Sequence, residues 1–329
     1  MIKIGKVDLA HGLFLAPMAG FSDRAMRRIC YEMGAEYSVS EMISAKAVTF
    51  GDKKTFSLAS IREDEGPVAL QIFGSEPHIM GAAAGILTEK KWDCGYVSPV
   101  AIDINMGCPV HKIYSNGEGS ALMRDPELIY RIVKAVNENT DLPVTVKHRT
   151  GIDSEHINAV ECAQAAESGG ATLITVHGRT KSQMYSGDVD RESIKKVKQS
   201  VHIPVVANGD ILSPSDALSM LRDTGADGIA IGRGAVGNPF LFKEIKCALL
   251  REECAAVSLE EKVDTALWQL RLAIEDKGEE VAVREARKQI ASYLHSFRGA
   301  ARIRAEINRA LSYEEIERVF LEALKTECI

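Results

Sequence analysis

Seven cysteines, at positions 30, 94, 108, 162, 247, 254 and 328, are the most reactive side chains in this 329-residue chain. They form no C-x-x-C pair and no His/Cys cluster at zinc spacing, so neither a disulfide framework nor a bound metal is indicated. A free cysteine is usually a small buried hydrophobe. Cys108 is framed differently: it follows the apolar run Ala101–Asn105 and lies between Gly107 and Pro109, turn formers that carry a side chain out of a core. A thiol in that position can donate a proton or act as a nucleophile. Lys147 interrupts the apolar run Val144-Thr-Val, where a buried ammonium needs an anionic or polar partner unless it snorkels to solvent. His177 closes another apolar run. Asn208-Gly209-Asp210 and Gly232-Arg233-Gly234 offer exposed backbone N–H groups with a cation beside them, which suits a phosphate.

These groups need a scaffold that brings distant segments to one place. Runs rich in Val, Ile and Ala predict strands at Leu13–Pro17, Tyr37–Ser40, Val68–Ile72, Ala101–Asn105, Val144–Lys147, Leu173–His177, Val205–Asn208 and Gly228–Ile231. They start 23 to 43 residues apart, the length of a strand–helix unit. Asp125-Pro126 and Ser213-Pro214 have the form of an N-cap followed by proline at the first helical position. Eight such units predict an α/β fold, a TIM (β/α)8 barrel, whose function collects at the C-terminal ends of its strands. An open doubly wound sheet is the alternative. Against it, Pro17 stands where a dinucleotide-binding turn wants glycine. The reactive groups all lie at predicted strand ends, so a barrel would gather them at one mouth.

After residue 250 the texture becomes helical and polar. Ser258-Leu-Glu-Glu261 has the form of a capping box, and Gly278 and Gly299 alone interrupt the pattern that follows. We therefore expect a barrel over residues 1–250 and a C-terminal helical-bundle domain over 251–329. The net charge of −6 argues against a nucleic-acid binder, but between Arg284 and Arg309 seven Lys/Arg face two Glu. Arg284, Arg287, Lys288, Arg298, Arg302 and Arg304 recur at helical spacing, and the scarcity of acids among them argues against pairing. They could track the phosphates of an RNA. Tyr293 and Phe297, at i and i+4, are expected in the core rather than as stacking groups. No run of 18 apolar residues suggests a membrane span, and the N-terminus lacks the apolar stretch of a signal peptide, which points to the cytoplasm.

Taken together, Ala16-Pro-Met-Ala-Gly20, Asp103-Ile-Asn-Met-Gly-Cys-Pro109, Val146-Lys-His-Arg-Thr-Gly151, Thr175-Val-His-Gly-Arg-Thr180, Ala207-Asn-Gly-Asp210 and Ile231-Gly-Arg233 resemble the tRNA-dihydrouridine synthases, in particular their bacterial B-type branch. The resemblance covers essentially the whole chain, and the Asn-x-Gly-Cys-Pro loop joined to a helical tail is its most specific part. It implies an FMN-containing barrel followed by a four-helix tRNA-binding domain, with NADPH as reductant, no metal, and a monomer. By position it implies that Pro17, Met18 and Ala19 line the flavin ring, Gln71 hydrogen-bonds it, Lys147 faces its pyrimidine side and His177 lies close by. Asn208, Gly209, Asp210, Gly232 and Arg233 would hold the phosphate, Asn105 would contact flavin or uracil, and Cys108 would be the catalytic acid. One departure is the stretch Lys91–Val100, several residues longer than the family's usual link and expected at the bottom of the barrel.

The chemistry so implied is reduction of the uracil C5=C6 bond in the D-loop. Conjugation to the C4 carbonyl directs hydride to C6 and leaves C5 to take a proton, and a thiol can supply it. Lifting the base out of its RNA fold costs a few kcal/mol. Two other functions fit parts of the pattern. A flavin barrel acting on a free pyrimidine or dihydroorotate would share the phosphate turns but leave the basic tail unexplained. An RNA-binding protein that keeps flavin only as structure would leave Cys108 without a role.

Overall fold

In a computed structural model, residues 1–294 and 299–327 are described. Eight parallel strands form the centre: β1 (Leu13–Leu15), β2 (Tyr37–Val39), β3 (Val68–Phe73), β4 (Ala101–Met106), β5 (Val144–Arg149), β6 (Leu173–His177), β7 (Val205–Asn208) and β8 (Gly228–Ile231). Each pairs with the next, and β8 pairs with β1, so the sheet closes into a barrel. The expected order and class are therefore observed, and the strand starts coincide with those expected. The strands are buried on both faces, which is why they read as continuous apolar runs rather than as alternation. Both expected proline-led helices are present, with Asp125 and Ser213 accepting from the backbone N–H groups of Leu128 and Asp216.

An antiparallel hairpin, Ile2–Ile4 with Val7–Leu9, precedes the barrel. Its Ile2, Ile4 and Leu9 pack with Phe14, Tyr37, Leu173 and Val206, which closes the barrel floor with apolar side chains. Nothing in the strand rhythm pointed to this plug. With the floor closed by apolar side chains, a ligand can enter only from the other end.

Beyond the barrel, helices run over Leu259–Lys277, Glu279–Ile290, Ala300–Ile307 and Tyr313–Glu327. The capping box is formed: Ser258 accepts from the Glu261 N–H, and the Glu261 carboxylate accepts from that of Ser258. These helices share an apolar core that includes Val263, Leu270, Ile290, Tyr293, Ile307 and Phe320. Tyr293 is buried as expected and donates to Gln269, whereas Phe297 lies outside the described residues. The bundle docks on the helix Arg24–Glu32, where Ala25 and Ile29 meet Leu272, Ala273 and Ala282. Arg24–Asp276 and Lys277–Asp23 ion pairs, both 2.8 Å, flank that contact.

Candidate active site

The barrel mouth opens into a cavity of about 460 Å³. Its walls include every residue expected to hold the cofactor: Pro17, Met18 and Ala19 after β1, Gln71 on β3, Asn105 on β4, Lys147 on β5, His177 on β6, the turn Asn208–Asp210 after β7, and Gly232 and Arg233 after β8. Cys108 lines the same cavity. Strand register explains the convergence. Asn105 pairs with Lys147, and Asn208 pairs with both His177 and Ala230, so residues far apart in sequence stand side by side.

Lys147 does not snorkel. Its Nζ donates to Asn208 Oδ1 at 3.0 Å, and burial followed by the nearby Arg149 lowers it to about 8, with Asp103 opposing. An ammonium kept at neutral pH despite that burial is a ready partner for an incoming anion. His177 is driven to about 2 by burial and then by the surrounding cations, Lys147 foremost, so its ring is neutral at physiological pH. The Cys108 thiol is pushed up by burial, partly offset by the Val110 backbone and by Arg149. It therefore stays protonated at neutral pH, which is the state a proton donor needs.

The Cys108 loop is more firmly held than its glycine and proline suggest. Asn105 Oδ1 accepts from the Gly107 and Cys108 N–H groups at 3.2 and 3.0 Å. Ser120 donates its hydroxyl to the Cys108 carbonyl at 2.8 Å, and Arg149 Nε donates to the Gly107 carbonyl at 2.8 Å. The backbone is thus pinned on both sides of the thiol.

At the phosphate-like end the side chains divide differently from expectation. Asp210, at φ 46°, accepts from Arg179 through both oxygens and from Arg233 at 2.8 Å. The Arg179 bond chiefly holds its carboxyl below the usual range. Its carboxylate is thus occupied with two arginines, and a phosphate would meet its backbone instead. Gly209, at φ 134°, occupies a conformation that a side chain rarely adopts; a Cβ there would lie 2.8 Å from Val189. A cradle of glycines beside a half-exposed Arg233, adjoining a pocket lined by Met18, Gln71, Lys147 and His177, has the donor set and space for a ring with a phosphate tail.

Four site residues had been given no role. Arg149 bridges the Cys108 loop to the Thr180 and Met184 carbonyls, both at 2.9 Å. Arg179 clamps Asp210. Tyr185, on the loop after β6, sits under Arg233 and Arg149, with their guanidinium carbons 5.0 and 5.8 Å from its ring centre. Phe21 lies at the rim beneath Lys288, whose Nζ is 4.1 Å from the ring centre. Arg149 and Arg179 could have been suspected as strand-end arginines; Tyr185 and Phe21 carried no signal in sequence.

The basic residues of the tail do not act alike. Lys288 is exposed and overhangs the cavity rim from the second bundle helix. Arg287 is half-buried and donates to the Ala310 carbonyl, closing the bundle rather than facing outward. Arg284 pairs with Glu280 at 3.0 Å and Arg302 with Glu306 at 3.9 Å, correcting the expectation that pairing would be absent. Glu280 stands one turn before the basic window, where a count restricted to that window misses it. Arg298 lies outside the described residues. Among the described residues no group of three His, Cys, Asp or Glu could hold a metal ion, and no helix is long and apolar enough to cross a membrane.

A sealed barrel floor and a mouth that combines a protonated thiol, a lysine, a neutral histidine and a glycine cradle define a (β/α)8 barrel built for a site at its strand ends. The chain belongs to the dihydrouridine synthase family, whose profile, Dihydrouridine synthase (Dus), matches residues 14–328. It is 40% identical to the tRNA-dihydrouridine synthase B of Pseudomonas aeruginosa, over 94% of this chain and 91% of that one. It is 39% identical to the tRNA-dihydrouridine synthase B of Shewanella oneidensis, over 98% and 100%, and 40% identical to a probable tRNA-dihydrouridine synthase of Rickettsia conorii, over 94% and 92%. Among solved structures, histamine dehydrogenase from Rhizobium sp. 4-9 shares the fold at a TM-score of 0.56 and 14% identity, over 88% of this chain and 50% of that one.

Proposed function

We propose that this chain reduces the C5=C6 bond of a D-loop uridine in tRNA, with FMN as cofactor, NADPH as its reductant and Cys108 as the proton donor. The observation that carries this reading is the protonated Cys108 thiol on the same cavity as Lys147, His177 and the glycine cradle. The residues present suit FMN: Gly209, Gly232 and Arg233 would hold its phosphate, Pro17, Met18 and Ala19 its ring, and Lys147 an anionic edge of that ring. When bound there, the flavin supplies hydride to C6 of the uracil.

The residues of the chain do the rest. Cys108 gives its proton to C5, where the electron pair of the broken double bond arrives, and general acid catalysis of this kind contributes about 10²–10⁴-fold. Arg149 stands near enough to the thiol to favour the thiolate left behind, and solvent at the mouth restores its proton. Lys147, as an ammonium, stabilises negative charge on whatever occupies the cavity. Neutral His177 can offer or accept one hydrogen bond without adding charge. The barrel through residue 250 would carry this chemistry, and the bundle from 251 would hold the RNA, with Lys288 nearest the target nucleotide; Arg284 and Arg302, being paired and exposed, would contribute less.

The test is Cys108→Ala. The variant should retain FMN and its reduction by NADPH while dihydrouridine formation in tRNA from a deletion strain, measured by mass spectrometry, slows by about 10²–10⁴-fold. Turnover at the wild-type rate would remove Cys108 from the mechanism.

A further inference from the structure

Beneath the cavity, a buried carboxylate is linked to the Cys108 loop through two amides. Asp103 is 2% exposed and lies on β4 opposite Gln71 of β3 in the strand register. Its Oδ2 accepts from Gln71 Nε2 at 2.7 Å, and its Oδ1 accepts from the Thr145 hydroxyl at 2.5 Å. Gln71 Oε1 in turn accepts from Asn105 Nδ2 at 2.8 Å. Asn105 Oδ1 is thereby turned to the Gly107 and Cys108 N–H groups.

The direction of this chain follows from what its ends can do. A carboxylate only accepts, so Gln71 must present its NH2 group to it and its carbonyl to Asn105. Asn105 must then present its NH2 to Gln71, which leaves its carbonyl for the loop. The other end is equally one-sided, because backbone N–H groups only donate. An acceptor-only end and a donor-only end, joined by two amides, admit one orientation of each amide. Such a relay also strengthens itself in a low-dielectric interior.

We propose that Asp103 is a positioning residue for the proton donor: acting through Gln71 and Asn105, it sets the place and reactivity of Cys108. The inference rests on Cys108 being the acid of the reaction proposed above. Asp103 touches neither substrate nor cofactor, since Gln71 and Asn105 lie between it and the cavity. Burial pushes the Asp103 carboxyl up while the Thr145 and Gln71 bonds and the Lys147 charge hold it down. Asp103 therefore also acts on Lys147, and the experiment must separate the two routes.

The variants are Asp103→Asn and Asp103→Leu, prepared as the FMN-bound enzyme, each also in the Cys108→Ala background. Alkylation of Cys108 by iodoacetamide is followed by peptide mass spectrometry, with the exposed Cys94 as internal reference. Single-turnover formation of dihydrouridine and KM for tRNA are measured alongside. Asn keeps one acceptor but loses the charge that strengthens the bond to Gln71, and Leu removes the acceptor altogether. The expected result is graded: Cys108 alkylation rises in Asp103→Asn and rises further in Asp103→Leu, while Cys94 is unchanged. The single-turnover rate should fall by about tenfold for Asn and towards about a hundredfold for Leu, the scale of a reacting group misplaced by about 1 Å, with KM for tRNA unmoved. In the Cys108→Ala background, followed through its residual slow turnover, neither substitution should cost more.

Three results would overturn the proposal. Unchanged alkylation of Cys108 would show that Asp103 does not govern the loop. Equal losses in Asn and Leu variants would assign the effect to charge on Lys147. The same fold-loss with and without Cys108 would place it in the fold or the flavin. If Asp103→Leu does not fold, Asp103→Ala, which removes the same acceptor from Gln71 with less bulk, takes its place and should raise Cys108 alkylation in the same direction. Wild-type turnover by Cys108→Ala alone would instead overturn the acid assignment and leave the alkylation result standing.

Discussion

Lys147 offers a test in which stability and activity should move in opposite directions. The perturbation is Lys147→Met, which keeps the length of the side chain and removes its charge. Lowering a lysine from its ordinary 10.5 to about 8 corresponds to a penalty of about 3 kcal/mol for carrying that charge in the folded state. Methionine escapes the penalty but leaves Asn208 Oδ1 without its 3.0 Å partner, a cost of about 1–3 kcal/mol. At neutral pH the FMN-free variant should thus be between about equal to wild type and about 2 kcal/mol more stable. The pH dependence is sharper. Below about pH 8 the folded wild type carries the whole penalty. Between about 8 and 10.5 its lysine sheds the proton when folded and keeps it when unfolded, so wild-type stability rises with pH and the penalty fades. From about pH 6.5 to about pH 9.5 the advantage of methionine should therefore shrink by about 2 kcal/mol, whatever the Asn208 bond is worth. Urea unfolding of the two FMN-free proteins by circular dichroism measures it. A difference that stays level over that range would refute the account of Lys147 as a cation confined by burial. With FMN restored, the same variant should form dihydrouridine much more slowly, and its residual activity should lack the wild-type decline above about pH 8.

Other outcomes follow from the same geometry. Lys288→Glu should weaken tRNA binding and reduce its salt dependence by about one phosphate contact while leaving FMN bound, as filter binding across a salt series would show. Arg287→Ala should instead lower the melting temperature, because it withdraws the donor to Ala310 inside the bundle; an RNA-binding loss at unchanged melting temperature would contradict that placement. Arg179→Met should cost about 1–3 kcal/mol, since Asp210 is partly exposed and keeps Arg233, and should loosen FMN without touching it, which thermal unfolding and flavin fluorescence would report separately. Unaltered flavin affinity would mean that Asp210 keeps Arg233 in place without Arg179.

The strand ends were legible because each chemical group stands within a few residues of an apolar run, and barrel topology then allows it one destination. Cys108, Lys147, His177 and the two glycine turns could be brought to one mouth on that ground alone. What was illegible is just as specific. The Ile2–Leu9 hairpin is too short to show a period. Tyr185 reaches the site from a loop, where no pattern constrains a side chain. The restraints on the Gly107–Pro109 turn, from Ser120 and Arg149, were hidden because they come from segments 12 and 42 residues away. The unpaired basic stripe failed for a similar reason: Glu280 and the Ala310 carbonyl are partners supplied by helical pitch and by a neighbouring helix.

By itself the sequence determined the family, the eight strand–helix units, the C-terminal helical segment and the set of groups at the mouth. These follow from local pattern, since burial on both faces of a parallel strand and a capped helix each leave a mark within a few residues. The tertiary structure alone decided which of those groups face a ligand and which face each other. Asp103, inside an apolar strand, became a partner of Gln71 only through the register of β3 and β4. Asp210 became the holder of two arginines only when β6, β7 and β8 stood side by side. A hydrogen bond between residues 20 or more positions apart depends on strand register and ring closure, and neither is written in the spacing of residues along the chain.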